Sequence, residues 1–337
     1  MSKSVMKSAP AFALVLLASL HATPALALNS VSYVSNAGDD GNNCRSIISV
    51  CFSLQRAHDV TASGGEIIVL ASGEYHRVAI DRSIHITNDG VGTANISFFS
   101  SGENGIDINA GAGDVVGLRG LVIDGAPGMG RAGINIATVS AVHIQNCVIR
   151  NFQGSGPSAG YGIALEPTGS TQLFVSDTII YNNGSTADSG GILIDAGGQF
   201  AGVKAMLDRV HVENNVIGIK VDGTGSFGSG FHVTVRNSVV SGNVGTGIWS
   251  ARFAGHNGLG SSPTVVVVDG TGVANNAGAG VLADGGAVVL LRNSAVEYNG
   301  TGASVANGGR LFTYGNNLID NNVGEDLSPA AVARSSK

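Results

Sequence analysis

Charged and aromatic residues are scarce in this sequence: of its 337 residues, 12% are Asp, Glu, Lys or Arg and 5% are Phe, Trp or Tyr. The few basic residues are scattered, and no run rich in Lys or Arg is present. Nucleic acid and anionic membrane surfaces bind through basic patches, so we expect no nucleic-acid partner and consider an anionic membrane a poor one. Helical periodicity of the apolar residues is also missing from the repeated part of the chain.

Cysteine is scarce too, with three residues, and no Cys/His cluster has the spacing of zinc ligands. Cys44 and Cys51 lie seven residues apart, and we expect them to form a disulfide because the chain has an export signal, described next. Cys147 is left over. It falls in a column of small residues of the repeat, which favours a buried, inert thiol over a nucleophile.

The first residues are typical of a secretory signal. Lys3 and Lys7 precede the apolar run "PAFALVLLASL", and "ALA" at 25–27 supplies small residues at a cleavage site. The alternative, a membrane anchor, would need about 20 apolar residues. We therefore predict a signal peptide over residues 1–27 and a secreted, periplasmic or cell-surface protein without a further membrane span. Without the two lysines, 16 basic residues remain against 24 acidic ones, a formal charge of −8.

Glycine is abundant, with 51 residues, and it belongs to a repeat. Stretches such as "VRNSVVSGNVGTGIW" and "LRNSAVEYNGTGASV" share apolar alternation, a β-branched residue, Asn and then Gly. The recurring asparagines are 32, 28, 33, 23 and 23 residues apart; they are Asn183, Asn215, Asn243, Asn276, Asn299 and Asn322. A core period of about 23 with insertions predicts a solenoid whose loops emerge on one side.

Three short strands with tight turns fit into each period, which is one coil of a parallel β-helix. We predict an all-β, right-handed, single-stranded parallel β-helix over residues 64–322, with its first strand at 66–70. Residues 28–63 form an N-terminal cap segment, in which residues 49–62 fold as a short amphipathic capping helix. Residues 323–337 form a polar tail. The asparagines stack as a ladder and tolerate left-handed backbone, and the glycines admit tight bends.

The Asn/Gly coil, the opening "YVSNAGDDGNNC" and the segment "CFSLQRAHDV" resemble secreted bacterial right-handed parallel β-helix proteins of the pectin-lyase-like superfamily. The resemblance covers roughly residues 31 to 322. It implies a scaffold that polysaccharide lyases, glycoside hydrolases, epimerases and adhesins share, and no single activity. The Asn-Thr-Asp, Gly-His-Gly and Arg-Ile-Lys elements of polygalacturonases are missing, and so is the calcium-site pattern of pectate lyases.

A column of acidic residues recurs four positions after the repeated Gly. Glu166, Asp195 and Asp222 belong to it; Ala251 interrupts it and Asp284 continues it. On adjacent coils about 4.8 Å apart, these carboxylates would suit glycosidase chemistry or Ca²⁺. Glu166, Asp195 and Asp222 are therefore the catalytic candidates, and Asp195 and Asp222 the candidate calcium ligands. The alternative is that each Asp only begins a turn, as "DGTG" at 222–225 favours.

Lys220, Trp249 and His256 are the candidate ligand-binding residues beside this column. Lys220 and Trp249 occupy equivalent outward positions on adjacent coils, and Trp249 is the only Trp. An exposed Trp would make a sugar-stacking platform. The alternative is that the longest insertions, 196–205, 223–232 and 252–264, fold over the ring and bury it.

A second column, Arg150, Tyr181 and Glu213 with His211 nearby, could support acid–base chemistry, but cross-strand pairing is favoured, since charges on a solenoid face are usually solvated. Two functions remain open. The protein binds, and in the enzymatic case processes, a polysaccharide or cell-surface glycan on its acidic face, or it is a non-catalytic surface or matrix protein. Calcium is the one cofactor that the sequence brings into consideration, and the oligomeric state is not predicted.

Overall fold

Alternating apolar residues form short strands along the chain. A computed structural model describes residues 28–97, 102–125, 130–156, 158–252 and 262–334. Its helix and strands are α1 Leu54–Val60, β1 Asn29–Val34, β2 Thr61–Val69, β3 Gly73–Tyr75, β4 Val78–Ile80, β5 Ile84–Thr87, β6 Ala94–Ser97, β7 Ile106–Asn109, β8 Val115–Arg119, β9 Leu121–Asp124, β10 Ala132–Thr138, β11 Ala141–Gln145, β12 Val148–Arg150, β13 Tyr161–Leu165, β14 Ser170–Ser176, β15 Ile179–Tyr181, β16 Gly190–Asp195, β17 Gly202–Asp208, β18 His211–Glu213, β19 Ile217–Asp222, β20 Gly230–Arg236, β21 Val239–Ser241, β22 Ile248–Ala251, β23 Thr264–Asp269, β24 Gly272–Ala274, β25 Ala279–Asp284, β26 Val288–Arg292, β27 Ala295–Glu297, β28 Thr301–Ala306, β29 Arg310–Tyr314, β30 Leu318–Asp320 and β31 Val332–Arg334.

The strands pair in parallel into three long sheets. Sheet A has the order β1-β2-β5-β8-β11-β14-β17-β20-β23-β26-β29-β31, sheet B the order β3-β6-β9-β12-β15-β18-β21-β24-β27-β30, and sheet C the order β28-β25-β22-β19-β16-β13-β10-β7-β4. Each complete coil contributes one strand to each sheet, as β17, β18 and β19 do. The predicted all-β parallel solenoid is confirmed.

Inward-facing β-branched and leucine side chains stack into the core. In sheet B, for example, Ile180, Val212, Val240 and Val273 lie in register, and all four are fully buried. Each such side chain contributes about 1.5–3 kcal/mol through removal of apolar surface from water. Because a coil contacts mainly its two neighbours, this stacking fixes the register of every strand, including those that carry the candidate site.

The asparagine ladder lies at the corner between sheets B and C. The Asn215 side-chain oxygen accepts from both the backbone N–H and the side-chain amide of Asn183, at 3.0 Å each. Asn243 repeats the same pair of bonds with Asn215, at 3.0 and 3.2 Å. The expected left-handed backbone belongs to the preceding residue, as at Asn182 with φ 57°. The ladder side chain points inward, so the turn itself is made one position earlier.

The glycines that follow the ladder are needed for close packing and not for a positive φ. A Cβ added at Gly218 would lie 2.4 Å from the carbonyl oxygen of Gly247 on the next coil. Gly191 has the same relation to Gly218, at 2.6 Å. A side chain at these positions would therefore push neighbouring coils apart.

Cys147 belongs to a buried column of small residues with Thr178, Ser238 and Thr271. Its backbone N–H donates to the Thr178 hydroxyl at 3.3 Å, and only 1% of the residue is exposed. Burial raises the pKa of the Cys147 thiol to about 11. The thiol is therefore protonated at neutral pH and a poor nucleophile.

The N-terminal segment differs from the prediction in one respect. The first strand is β1, which pairs with β2, and the 66–70 strand is the second. Sheet A thus begins inside the predicted cap segment, where Ser32 and Val34 are buried in register with Ile67 and Val69 of β2. A disulfide joins Cys44 and Cys51, whose Cα atoms are 5.0 Å apart.

Helix α1 packs against β1, β2 and β4. Its buried residues are Leu54, Ala57 and His58, and Ser53 is its N-cap. The Gln55 side-chain oxygen accepts from the backbone N–H of Ala79 at 2.8 Å. Ala79 belongs to β4, the last strand of sheet C, so this bond satisfies a donor at an open sheet edge.

The C-terminal segment, predicted as a polar tail, contains a short strand. β31 pairs with β29 in sheet A, and Leu327 bridges to Ala303. The sequence pattern is weak there because the residues of β31 remain exposed.

No helix in the described ranges is long and apolar enough to cross a membrane. The predicted signal peptide, residues 1–27, lies outside the described residues.

Candidate functional site

The acidic residues are aligned at the end of the sheet C strands, where the chain turns towards sheet A. Asp195 is in register with Asp222, Asp222 with Ala251, and Ala251 with Asp284. Glu166 follows Leu165, which pairs with Ile194, and therefore lies opposite Asp195. We call Glu166, Asp195, Asp222 and Asp284 the acidic column.

Each carboxylate of the column accepts a hydrogen bond from a nearby neutral group. The Ser158 hydroxyl donates to Glu166 Oε1 at 2.6 Å, and the Ala196 N–H donates to Asp195 Oδ1 at 2.6 Å. The Thr224 N–H donates to Asp222 Oδ1 at 3.1 Å, which is the turn contact that the sequence allowed. The turn-forming role of Asp222 is thus present, but it occupies only one of its oxygens.

Lys220 is a buried cation beside the column. Its Nζ lies 2.7 Å from Asp188 Oδ1, 3.4 Å from Asp222 Oδ2 and 5.0 Å from the centre of the Trp249 ring. Burial by itself lowers the pKa of Lys220, but the Asp188 hydrogen bond and the charges of Asp222 and Asp188 outweigh it and raise the pKa. Lys220 therefore holds its charge and neutralises part of the acidic column.

Asp195 is the carboxyl group whose ionisation is most disfavoured. Burial, and next the negative charge of Asp222, raise its pKa to about 6; Glu166 adds to the rise, whereas the Ala196 N–H and Lys220 oppose it. At mildly acidic pH, Asp195 is protonated while ordinary carboxyl groups remain ionised. Such a pair of unlike neighbouring carboxyl groups is what acid–base chemistry requires.

Tyr161 is a member of this site that the sequence analysis missed. Only 1% of it is exposed, and it packs with Ala132, Ala164 and Leu193 in a small apolar cluster separate from the main core. Its hydroxyl is buried and has no hydrogen-bond partner among the described residues. Burial, followed by the charges of nearby carboxylates, raises its pKa; these are Asp188, Asp195, Asp222 and Glu166.

Trp249 separates two grooves on the outer face of sheet C. The first, about 450 Å³, lies towards sheet B and is lined mainly by Thr186, Val216, Ile217 and Val244 besides the Trp. The Trp249 ring is half-buried. It is therefore neither the exposed platform nor the fully buried side chain that the sequence analysis considered. Its indole Nε1 is buried without a hydrogen-bond partner among the described residues.

The second groove, about 490 Å³, lies towards sheet A. Asp222 and Asp284 stand on either side of Ala251, whose small side chain leaves space between them. Trp249, Thr224, Asn307 and Arg252 complete its lining. The two grooves share Trp249, one at the start and the other at the end of the sheet C strands.

The insertions expected beside the column are shorter than the sequence indicated. Gly202 begins β17 and Gly230 begins β20, so the first two connections are 196–201 and 223–229. The two glycines pair with each other in sheet A, where a strand-like role was not recognised in the Gly-rich sequence. In the third insertion, residues 253–261, including His256, lie outside the described residues.

The described residues contain no group of three or more His, Cys, Asp or Glu side chains arranged to hold a metal ion. Calcium binding by Asp195 and Asp222 stays a prediction. The Lys220 ammonium near Asp222 is unfavourable for it, because it competes for the same carboxylate.

The second column has the geometry of cross-strand pairing. Arg150 lies in register with Tyr181, and Tyr181 with Glu213. The Arg150 guanidinium contacts Asp124 Oδ2 at 2.7 Å and donates to the Tyr181 hydroxyl at 2.7 Å. His211 contacts Glu213 at 3.1 Å. These contacts account for all four side chains, as the pairing interpretation expects.

A further groove, about 670 Å³, was not anticipated. It lies on the outer face of sheet A and is lined by Gln172, Lys204 and His232 among others. Nearby, His143 stacks on Phe174 with ring centres 4.7 Å apart. The sequence contains polar and aromatic residues at outward positions of sheet A that could have indicated this groove. They were missed because these positions fall outside the repeated Asn and Gly columns.

Sheet topology and coil geometry define the chain as a right-handed parallel β-helix protein of the pectate-lyase type of fold. Among solved structures, the crystal structure of pectate lyase Pel9A is similar, with a TM-score of 0.66 and 14% identity over 90% of this chain and 78% of that chain. At this identity the likeness shows a shared fold. No protein-family model matches the chain. No curated protein matches it either.

Proposed function

We propose that this protein is exported and binds carbohydrate on the outer face of sheet C. The observation that carries the proposal is the meeting of two grooves at the single Trp of the chain, beside the acidic column. Each groove falls within the range of about 300–1,000 Å³ that ligand sites occupy. Apolar ring surface bordered by a few polar groups is the combination that sugars require.

Turnover is a secondary possibility on the same face. Asp195, with a pKa of about 6, is the candidate proton donor, and the neighbouring Asp222 carboxylate lies 3.4 Å from the Lys220 ammonium. This division of roles resembles the two carboxyl groups of a glycoside hydrolase. The missing catalytic motifs of the superfamily favour binding without turnover.

Fluorescence provides a direct test because Trp249 is the only Trp in the chain. Titration of the mature protein with a panel of acidic, neutral and basic oligosaccharides should change its emission for at least one member. Trp249→Ala should abolish binding of that member in calorimetry. The matched control is Phe174→Ala, which removes a half-exposed aromatic ring from sheet A and should leave binding unchanged.

A reducing-end assay on the same panel separates binding from hydrolysis or lyase activity. If no oligosaccharide produces heat or a change of emission, the alternative function stands, namely a surface or matrix protein in which the solenoid is a rigid spacer.

Two structural proposals accompany this function. Helix α1 caps the N-terminal end of the solenoid through the Gln55 bond to β4, so Gln55→Ala should promote aggregation by exposing a sheet edge. Residues 1–27 direct export, and mass spectrometry of the protein recovered outside the cytoplasm should then find residue 28 at its N-terminus.

A further inference from the structure

Two histidines lie two strands apart in one row on the outer face of sheet A. His85 of β5 is in register with Gly117 of β8, and Gly117 with His143 of β11. Both histidines are exposed to solvent. Because Gly117 has no side chain, the row has a gap between the two imidazoles.

The His85 ring fills this gap. A Cβ added at Gly117 would lie 2.3 Å from His85 Nδ1 and 3.0 Å from His85 Cε1, so the ring leans over the glycine. The His143 ring is held on the other side of Gly117, where it stacks on Phe174 with ring centres 4.7 Å apart and planes 9° apart. The two imidazoles therefore lie about one strand spacing, 4.7–4.9 Å, from each other, although their strands are two spacings apart.

The surroundings of the two rings suit a cation. Burial, and next the charge of His85, lower the pKa of His143, so the two rings lie within electrostatic reach of each other. Glu66 is in register with His85 on the strand that precedes it in the sheet. Arg119 of β8 is paired with Asp89 at 2.6 Å, which offsets its charge.

We propose that His85 and His143 together bind a divalent transition-metal ion above Gly117, a function separate from carbohydrate binding on sheet C. Neutral imidazole is a ligand of copper, nickel and zinc. With metal–nitrogen distances of about 2.0–2.1 Å, one ion needs the two nitrogens roughly 3–4 Å apart. Small rotations of two exposed, neighbouring rings provide this separation.

The ligand set determines which ions bind. The described residues hold no group of three His, Cys, Asp or Glu ligands, so water or a donor group of a bound molecule completes the coordination of this two-histidine site. Nitrogen ligands bind Cu²⁺ more tightly than Ni²⁺ or Zn²⁺. Ca²⁺ prefers oxygen ligands and is excluded from the histidine pair.

Calorimetric titration of the mature protein, without an affinity tag, with the chlorides of Cu²⁺, Zn²⁺ and Ca²⁺ at neutral pH tests the proposal. We expect Cu²⁺ to bind most tightly, Zn²⁺ more weakly, and Ca²⁺ not to compete with either. The electron paramagnetic resonance spectrum of the Cu²⁺ form should show coupling to the nitrogens of two imidazoles. Coupling to a single nitrogen would contradict the shared site.

Single substitutions of the histidines locate the ion. His85→Ala and His143→Ala should each weaken Cu²⁺ binding about tenfold or more, because even the loss of an outer partner of a metal ligand costs about 10–100-fold. His232→Ala removes an exposed histidine of β20 and is the matched control, so it should leave the affinity unchanged.

Gly117→Ala tests the geometry while both ligands remain. Its Cβ would displace the His85 ring, which is the end of a flexible side chain, and should weaken Cu²⁺ binding about as much as His85→Ala does. The backbone of Gly117 belongs to β8 and does not have a positive φ, so the melting temperature should stay near that of the wild type.

Wild-type Cu²⁺ affinity in either histidine variant or in Gly117→Ala overturns the proposal. If a variant fails to fold, the wild-type protein decides the question through modification by diethylpyrocarbonate, read by mass spectrometry. Zn²⁺ should protect His85 and His143 from the reagent and leave His232 as reactive as before. Equal modification of His85 and His143 with and without Zn²⁺ overturns the proposal as well.

Discussion

The Lys220 ammonium lies 5.0 Å from the centre of the Trp249 ring, and the two residues are directly paired on neighbouring strands of sheet C. This contact joins the acidic column to the two grooves. A cation over an aromatic ring in a largely dry site contributes about 1–2 kcal/mol. The position of the Trp249 ring therefore depends on the Lys220 ammonium, which is also the cation beside the acidic column.

Removal of the Lys220 charge should have two measurable effects. Lys220→Met keeps much of the buried aliphatic chain but leaves Asp222 without its cation, so we expect a loss of about 1–3 kcal/mol in urea unfolding. The Trp249 emission should shift at the same time. Lys204→Met, at an exposed position of sheet A, is the control and should do neither. An unchanged emission in Lys220→Met would contradict the contact.

The ladder position and the position before it should respond differently to substitution. Asn243→Leu breaks the ladder and leaves buried backbone groups unpaired, at a cost of about 1–3 kcal/mol. Asn182→Gly alters the exposed left-handed residue, and Gly242 already occupies the equivalent position on another coil, so stability should change by less than about 1 kcal/mol. Thermal unfolding of both variants checks this. Equal losses would show that the two positions share one role.

The C-terminal end of the ladder should be sensitive to acid. Asp326 accepts from the Asn322 backbone at 2.9 Å and side chain at 2.8 Å, which lowers its pKa. A carboxyl group whose folded pKa is lowered stabilises the folded state above its unfolded pKa, and this stabilisation is lost as pH falls through the folded value. Amide protection in the last coil, measured relative to the intrinsic exchange rate at each pH, should therefore fall below about pH 4.

Asp326→Asn provides the control for that measurement. Its side-chain oxygen can still accept from Asn322, as ladder asparagines do, but it does not titrate. Amide protection in the last coil, relative to the intrinsic rate, should then no longer fall with pH in the same range. Persistence of the dependence in this variant would assign it to another group.

Asp195 should give the opposite dependence. Its folded pKa is raised to about 6, so the folded state binds a proton that the unfolded state releases, and stability rises as pH falls from about 7 towards 4. Asp195→Asn should raise the melting temperature at neutral pH and flatten this rise, while Asp320→Asn should not. A wild-type melting temperature that is independent of pH over this range would contradict the raised pKa.

The fold could be read from the sequence because its determinants recur. The Asn183-to-Asn322 column and the period-two alternation recur from coil to coil and mark the same corner and strands each time. A coil whose own sequence is ambiguous can therefore be assigned from its neighbours. The ends could not be predicted as well. β1 and β31 each join the sheet once, without a repeated neighbour, and the exposed residues of β31 show no apolar alternation.

The acidic column could also be predicted from the repeat, since equal spacing from a repeated Gly places residues in register. Tyr161 was not visible, because its significance comes from the carboxylates of other coils that surround it in space. The exposure of Trp249 was also undetermined, because it depends on how the connections between coils fold over the ring. Periodicity predicts which residues align, but not how the remaining surface is covered.

The two shortest coils of the asparagine ladder, which run from Asn276 to Asn299 and from Asn299 to Asn322, retain its hydrogen bonds with 23 residues each. The longer coils add residues between their strands without altering the ladder. Coils can therefore be gained or lost at the C-terminal side in whole units, while the chemistry beside Trp249 stays unchanged. The length of the molecule can thus change in evolution without altering the side chains of the proposed carbohydrate-binding face.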